Sequence, residues 1–184
     1  MNFNQPAWDI GLYRFINGRL TSETLDPIMA LVSSTPFWVV VLAIGIIAAG
    51  AMGRVYWMRV LAVIVLGIGV TDAVCSYVLK PSFARVRPCH YIDEARRVNG
   101  VCGSQFGMPS NHSANGMMAA VVILYFCGTS WFALALFFAF WVGFSRVYLG
   151  VHYPGDVMAG FAFGALIGFG LSHLFRPLVG RKPE

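Results

Sequence analysis

Polar and apolar positions in this chain are separated into long blocks, and the apolar blocks have the length of membrane-spanning helices. A span needs about 20 apolar residues. Residues 113–145 carry no charge, and as one helix they would reach about 50 Å, beyond a bilayer core of about 30 Å. Gly128-Thr129-Ser130 therefore predicts a break there. The pattern predicts five spans, at 27–53, 60–79, 112–127, 131–149 and 154–174.

Two local features refine this layout. Residues 8–24 place apolar side chains such as Ile10, Leu12 and Phe15 at helical spacing but are too polar to span, which predicts a helix in the interface. Pro36 lies inside the first apolar block and predicts a kink or a late helix start. The fold class expected is all-α, a polytopic membrane bundle of about five transmembrane helices plus an N-terminal interfacial helix, with residues 1–184 as one domain.

Composition supports a membrane protein and excludes a nucleic-acid binder. The chain is 58% hydrophobic and 11% charged, against about 45–50% and about 25% in soluble domains. The net charge is +5, but the basic residues form no run and no basic helical face. The first residues lack a basic stretch followed by a short apolar core, so we expect no removable signal peptide and a first span that acts as membrane signal.

The basic residues bear on orientation. With five spans, the N-terminus, the loop 81–108 and the break near 146–152 share one side of the membrane. The positive-inside rule favours a cytoplasmic location for the basic residues of the other side. The first side carries more basic residues in total, and we attribute these to function. We expect a multi-pass protein of the bacterial inner membrane, with the 81–108 loop in the periplasm or cell exterior. The residues expected in the cytoplasm are Arg54, Arg59, Arg176, Arg181 and Lys182.

The long polar loop holds two of the four cysteines. Cys89 and Cys102 could close it as a disulfide in an oxidising compartment. Zinc binding is the less favoured alternative, because no set of His or Cys with ligand spacing accompanies them.

Three short polar clusters, at 80–88, 109–112 and 145–156, lie at the ends of the predicted spans and therefore share one membrane face. Their cations suit a phosphate, because Arg binds phosphate oxygens with two parallel hydrogen bonds and Lys adds a compact charge. Two of the clusters also open helices, whose free N–H groups favour anions. The residues expected to bind phosphate are Lys80, Arg87, Ser110, Asn111, Ser145 and Arg146.

The same clusters carry acid–base chemistry. His152 and Asp156 are four residues apart at the start of a helix. A carboxylate at that position can hold one imidazole N–H and raise the basicity of the other nitrogen, which prepares His152 as a nucleophile. His112 lies on another helix and could protonate the leaving oxygen and then activate water. No acidic metal cage is present, so we expect neither a metal nor a cofactor.

In this order, Lys80-x6-Arg87-Pro88, Pro109-Ser-x-His112 and Ser145-Arg146-x5-His152-x3-Asp156 resemble the three-part signature of the type 2 phosphatidic acid phosphatase superfamily. The resemblance implies that His152 forms a phosphohistidine, that Asp156 orients it, and that His112 acts as acid and then base. It implies phosphate binding by Lys80, Arg87, Ser110 and Arg146. Asn111 departs from the pattern, because the family usually has Gly there.

The expected function is metal-independent hydrolysis of a phosphate or diphosphate ester of a membrane lipid. Undecaprenyl diphosphate is the first choice of substrate, with phosphatidylglycerophosphate, phosphatidic acid and lipid A 1-phosphate as rivals. The alternatives are a lipid phosphotransferase of the same fold and a non-catalytic protein that binds or transports lipid phosphates. The partners expected are the lipid substrate and the bilayer.

Three features lie outside the signature. The role of Arg85 is open, because the sequence favours contact with substrate and no role in the site equally. Asp72 lies inside the second span, about 12 Å deeper than Lys80, and is expected to form a hydrogen bond between helices. Glycines recur every four residues on the last span and predict close helix packing within the chain. These are Gly160, Gly164 and Gly168.

Overall fold

The computed structural model describes residues 5–100 and 102–180, and no β-strand occurs among them. Most of these residues lie in helices, which confirms the all-α prediction. The α-helices are α1 (Ala7–Arg14), α2 (Leu25–Val32), α3 (Thr35–Ala51), α4 (Val55–Ala73), α5 (Lys80–Phe83), α6 (Pro88–Tyr91), α7 (Asn111–Cys127), α8 (Thr129–Tyr148) and α9 (Pro154–Val179).

Several helices have the length and apolar composition to cross a bilayer. α4 continues through a π-helical turn into α5, so that Val55–Phe83 is one apolar helix, and α8 and α9 also qualify. α2 and α3 meet at 57° and add a fourth span if they are counted together. α7 has 17 residues, about 26 Å of helix, and is shorter than the bilayer core. A multi-pass helical bundle is confirmed, whereas the number five stays a prediction.

The predicted breaks coincide with helix ends. Pro36 lies in the first turn of α3, where its missing N–H leaves no helical hydrogen bond unmade, and Ser34 caps that helix by accepting from the Phe37 N–H. Of the two alternatives for Pro36, the structure shows a late helix start, directly after the 57° bend. The break between α7 and α8 falls at Gly128, whose φ of 94° suits glycine.

The closest helix pair is α7 with α9, because small residues of α9 let the two backbones approach. Gly160, Gly164 and Gly168 all face α7. A Cβ added to any of them would lie within 2.7 Å of a carbonyl oxygen of α7 or its cap. Those oxygens belong to Ser110, Ala114 and Met118 respectively. The predicted close packing within the chain is confirmed.

Apolar clusters mark the two ends of the bundle. One joins Tyr56, Phe126 and Val179, next to the α3–α4 turn, the α7–α8 break and the end of α9. The other joins α1 to the segment between α8 and α9 through Tyr13 and Tyr153. The predicted basic positions Arg181 and Lys182 lie outside the described residues.

We expect Gly164→Ala to destabilise the bundle, because its Cβ would lie 2.2 Å from the Ala114 carbonyl oxygen, a backbone atom that cannot move aside. Overpacking of this kind costs about 1–3 kcal/mol. The matched control is Gly170→Ala on the same helix, where a Cβ meets nothing within 4 Å. Thermal unfolding in detergent should show a lower midpoint for the first variant only. Equal midpoints would show that the α7–α9 contact is looser than described.

Candidate active site

Residues from all three sequence clusters meet at one end of the bundle. Arg87 precedes α6, Ser110 caps α7, and His152 and Asp156 lie at the start of α9. The Ser110 N–H donates to the Asp156 carbonyl oxygen at 3.0 Å, and Arg87 Nη1 lies 2.7 Å from His152 Nε2. Arg146 ends α8 on the same side. Folding the spans back and forth therefore brings together residues that are far apart in sequence.

His152 is buried, and its contacts define its tautomer. An arginine N–H can only donate, so Nε2 accepts from Arg87 and the ring proton resides on Nδ1. Nδ1 faces Asp156 Oδ2 at 3.3 Å. Burial, followed by the positive charge of Arg87, holds the pKa of His152 well below its usual range. The imidazole is therefore neutral at pH 7, with a lone pair on the nitrogen that faces the cations.

Asp156 is fully buried, and both of its oxygens are engaged. Oδ2 accepts from the Tyr153 N–H at 3.0 Å as well as from His152. Oδ1 accepts from Arg85 Nη1 at 2.9 Å. A carboxylate with so many donors has one orientation, which fixes the His152 ring in turn.

Arg85 is buried at 4% exposure and faces the carboxylate of Asp156. It also forms an ion pair with Asp9 of α1, donates to Gln5 Oε1 at 2.6 Å, and lies over the Tyr153 ring at 4.6 Å. The contacts of Arg85 form an internal ion-pair network, and whether it also contacts substrate stays open. Sequence reasoning missed Asp9, although an acid among the apolar residues that begin the amphipathic segment was an available signal.

The cations of the predicted phosphate site have no carboxylate partner in the part of the chain that the structure describes. Lys80, Arg87 and Arg146 all contribute to the low pKa of His152, so they lie close enough to act on it. Arg87 donates to the carbonyl oxygens of Ser104 and Val151, at 2.7 and 3.1 Å. Arg87 is buried, and Lys80 and Arg146 are half-buried. Cations in such positions that form no ion pair favour binding of an anion.

The bend between α2 and α3 also contacts this site. Ser33 Oγ accepts from Arg146 Nη1, and Thr35 Oγ1 lies 3.4 Å from His112 Nε2. Arg146 Nε is buried and has no hydrogen-bond partner among the described residues. Part of this guanidinium is therefore available to an anionic ligand.

Three of the predicted phosphate-binding side chains make other contacts. Asn111 donates to Asp72 Oδ1 at 2.9 Å and to Ser76 Oγ at 3.0 Å, so its amide faces α4. Ser110 caps α7 through the Ser113 N–H, and Ser145 donates to the Val142 carbonyl oxygen. A phosphate contact by Ser110, Asn111 or Ser145 stays a prediction.

Asp72 has the role expected from its position. Its Oδ1 accepts from Asn115 Nδ2 at 3.0 Å as well as from Asn111, and both donors belong to α7. The carboxylate therefore links α4 to α7 by hydrogen bonds between helices inside the bundle. One of its donors, Asn111, is the residue beside His112, so the link also fixes the backbone there.

The loop between α6 and α7 closes over the pair of His152 and Asp156. Its Gly107 N–H donates to the Arg85 carbonyl oxygen at 2.8 Å, and Val86 pairs with Phe106. A Cβ on Gly107 would lie 2.9 Å from Asp156 Oδ2 and 3.1 Å from Arg87 Cγ. A larger residue at this position would have to displace Asp156 or Arg87.

A disulfide joins Cys89 and Cys102, whose Cα atoms are 5.9 Å apart. It connects α6 to the loop that supplies Ser104 and Gly107 to the site. Both sulfurs are consumed in this bond, so neither offers the thiolate that a zinc site with His90 would require.

Comparisons with known proteins agree with this geometry. The model of the PAP2 superfamily matches residues 57–179. A lipid A 4'-phosphatase of Bacteroides thetaiotaomicron is 33% identical over 172 residues, which cover 88% of this chain and 73% of that protein. A phosphatidylglycerophosphatase B of Bacillus subtilis is 38% identical over 126 residues, covering 63% of this chain and 57% of that protein.

The fold has a counterpart among solved structures. The crystal structure of Aquifex aeolicus LpxE superposes with a TM-score of 0.71 at 22% identity, over 93% of this chain and 98% of that one. This similarity to a solved structure supports the fold, whereas the family model and the curated relatives show the family. The resemblance seen in the three motifs is thereby confirmed, and the chain belongs to the PAP2 superfamily, as a phosphatase embedded in a membrane.

Proposed function

We propose that this protein hydrolyses a phosphate or diphosphate ester of a membrane lipid without a metal ion, through a phosphohistidine on His152. The observation that carries the proposal is the neutral His152 ring, with its Nε2 lone pair among cations that lack a carboxylate partner in the described chain. Such a site attracts a phosphoryl group and presents a nucleophile to it.

In the first step, Nε2 attacks phosphorus, the N–P bond forms and the bond to the leaving oxygen breaks. His112 gives its proton to the leaving oxygen. Asp156 stabilises the positive charge that develops on the ring, through the proton on Nδ1. Arg87 must shift from Nε2 to a phosphoryl oxygen when substrate binds, and Lys80 and Arg146 offset the charge on the other oxygens.

In the second step, His112 takes a proton from a water molecule, and the oxygen of that water attacks phosphorus. The N–P bond breaks, inorganic phosphate leaves, and His152 returns to its neutral form. If a second lipid takes the place of water, the same site is a phosphotransferase, and phosphorylated lipid appears instead of free phosphate.

The metal-independent character rests on the donor set. Arg87 contacts the ring, Lys80 and Arg146 act on it by their charge, and the one carboxylate in contact with the ring already binds Arg85. The cations would repel a divalent metal ion, and the carboxylate of Asp156 is already occupied by Arg85. The cationic groups supply the charge stabilisation that a metal gives in other phosphoryl-transfer sites.

The substrate is an amphiphile whose tails stay in the bilayer while its phosphate reaches the end of the bundle. The relative that aligns with 88% of the chain is a lipid A 4'-phosphatase. This similarity moves a lipid A phosphate ahead of undecaprenyl diphosphate as the first substrate to test. We further propose that the site faces the periplasm or cell exterior of the bacterial inner membrane, where a disulfide in the 81–108 loop persists.

We expect the purified protein to release phosphate from at least one lipid in a panel of lipid A, undecaprenyl diphosphate, phosphatidylglycerophosphate and phosphatidic acid. His152→Ala should abolish release and any ³²P label on the protein, and Asp156→Asn should lower kcat by about 10⁴-fold, as at comparable orienting carboxylates. The control is His90→Ala, an exposed histidine of the same membrane side. Unchanged release by His152→Ala would end the phosphohistidine proposal.

We expect EDTA to change the rate by less than about twofold, because cations rather than a metal offset the phosphoryl charge. Vanadate should inhibit in competition with the lipid, since it adopts the five-coordinate geometry of the transferring phosphorus. Loss of activity in EDTA that Mg²⁺ restores would contradict the metal-independent mechanism.

Gly107→Ala should lower kcat by at least about tenfold, because its methyl group displaces Asp156 or Arg87 and misplaced catalytic groups are costly. Gly69→Ala is the control, since a Cβ on this exposed residue of α4 meets nothing within 4 Å. Phosphate release with a soluble or detergent-dispersed substrate measures both. Wild-type kcat in Gly107→Ala would mean that the loop moves away before the reaction.

A further inference from the structure

The N-terminal helix α1 has an unusual distribution of polarity. Its exposed side chains include the apolar Trp8 and Leu12, whereas the acid Asp9 is fully buried. A solvent-covered helix would show the reverse pattern. Arg14 is exposed, so Asp9 is the charged group of this helix that is directed at the protein, and its contacts show which part of the protein it serves.

Asp9 binds two groups at the catalytic end of the bundle. Its Oδ2 forms an ion pair with Arg85, and its Oδ1 accepts from the Gly155 N–H at 2.8 Å. A Cβ on Gly155 would lie 2.7 Å from Asp9 Oδ2, so the backbone of α9 approaches the carboxylate closely at the residue beside Asp156. Asp9 is thus fixed to α9 and to Arg85 at once.

Arg85 is shared between two carboxylates. Nη1 donates to Asp156 Oδ1 at 2.9 Å, and Nη2 contacts Asp9. All three side chains are almost fully buried, where charge interactions are strong. If Arg85 faced Asp156 alone, its charge would neutralise the carboxylate that holds the His152 Nδ1 proton. A second carboxylate on Arg85 restores negative charge to the group.

We propose that Asp9 is a positioning residue of the active site, acting through Arg85 on Asp156 and so on the orientation and basicity of His152. The inference rests on the proposed role of His152 as nucleophile. It makes α1 part of the catalytic apparatus, although α1 lies outside all three sequence clusters and precedes the segment matched by the family model.

The rest of α1 and the turn after it are fixed to the segment that leads to His152. Tyr13 donates to the Gly150 carbonyl oxygen at 3.4 Å, and Asn17 Nδ2 donates to the Tyr148 carbonyl oxygen at 2.8 Å. These contacts hold the helix in place without Asp9. Asp9→Asn therefore removes a charge while leaving an oxygen that can still accept from Gly155.

The experiment compares Asp9→Asn, Arg85→Gln and the double variant in steady-state phosphate release from the best lipid of the panel. Because Asp9 acts on the chemical step, Asp9→Asn should lower kcat by about 10- to 100-fold, the usual range for partners behind a catalytic group, with KM nearly unchanged. The double variant should be no slower than Arg85→Gln alone, since Asp9 acts through Arg85.

The matched control is Asp93→Asn, which removes one acidic charge from an exposed position in the loop after α6 and should keep wild-type kcat. Asp9→Glu should recover part of the rate. Wild-type kcat in Asp9→Asn would overturn the inference, and so would independent, multiplying effects of Asp9→Asn and Arg85→Gln. An equal loss of kcat in Asp93→Asn would show that the effect comes from the net charge of the protein, and this result would also overturn the inference.

A second readout is independent of turnover. ¹⁵N NMR of labelled histidine in detergent micelles reports the tautomer of His152, which should be mostly Nδ1-protonated in the wild type and less so in Asp9→Asn. His152→Ala identifies the signal. If the wild type releases no phosphate but the tautomer shifts, the proposed function fails while the coupling stands. An unchanged tautomer in Asp9→Asn contradicts the coupling whatever the activity.

Discussion

The close contact between α7 and α9 is the constraint on which the site depends. Three glycines of α9 let its backbone touch that of α7, and the contact begins at the end where both helices start. The Ser110 N–H therefore reaches the Asp156 carbonyl oxygen. Lipid tails are as apolar as the side chains themselves, so the hydrophobic effect does little to hold helices together inside a bilayer. Close approach of the backbones and van der Waals contact hold them together instead. It also fixes His112 on one helix relative to His152 and Asp156 at the start of the other.

Charge in this end of the bundle is divided into two groups that do different work. Asp9, Arg85 and Asp156 form a buried network, in which Asp156 also accepts from the Tyr153 N–H. Lys80, Arg87 and Arg146 have no carboxylate among the described residues and leave their charge for a ligand. His152 lies between the groups, with Nδ1 toward the first and Nε2 toward the second. The position of one ring thus connects the internal ion-pair network to the group of cations that form no ion pair among the described residues.

Much of this arrangement could be predicted from sequence, because its signals are local. The four-residue spacing of His152 and Asp156, the apolar blocks and the glycine repeat each follow from helix geometry. Partnerships across the fold could not be predicted. Nothing near Asp9 in sequence indicates Arg85, and the direction of the Asn111 amide depends on the neighbouring α4. The 57° bend after α2 lies beside contacts of Ser33 and Thr35 with distant residues, which no local pattern indicates.

The position of α1 has a practical consequence for handling the protein. Asp9 lies in the first turn of α1, so a fusion or insertion directly before this helix adds mass a few residues from the ion pair with Arg85. α9 runs 26 residues from Pro154 to Val179, about 39 Å of helix. An affinity tag behind Val179 therefore emerges at the far end of the bundle. For immobilisation, labelling or fusion partners, a position after α9 is therefore the one that lies far from the contacts of Asp9.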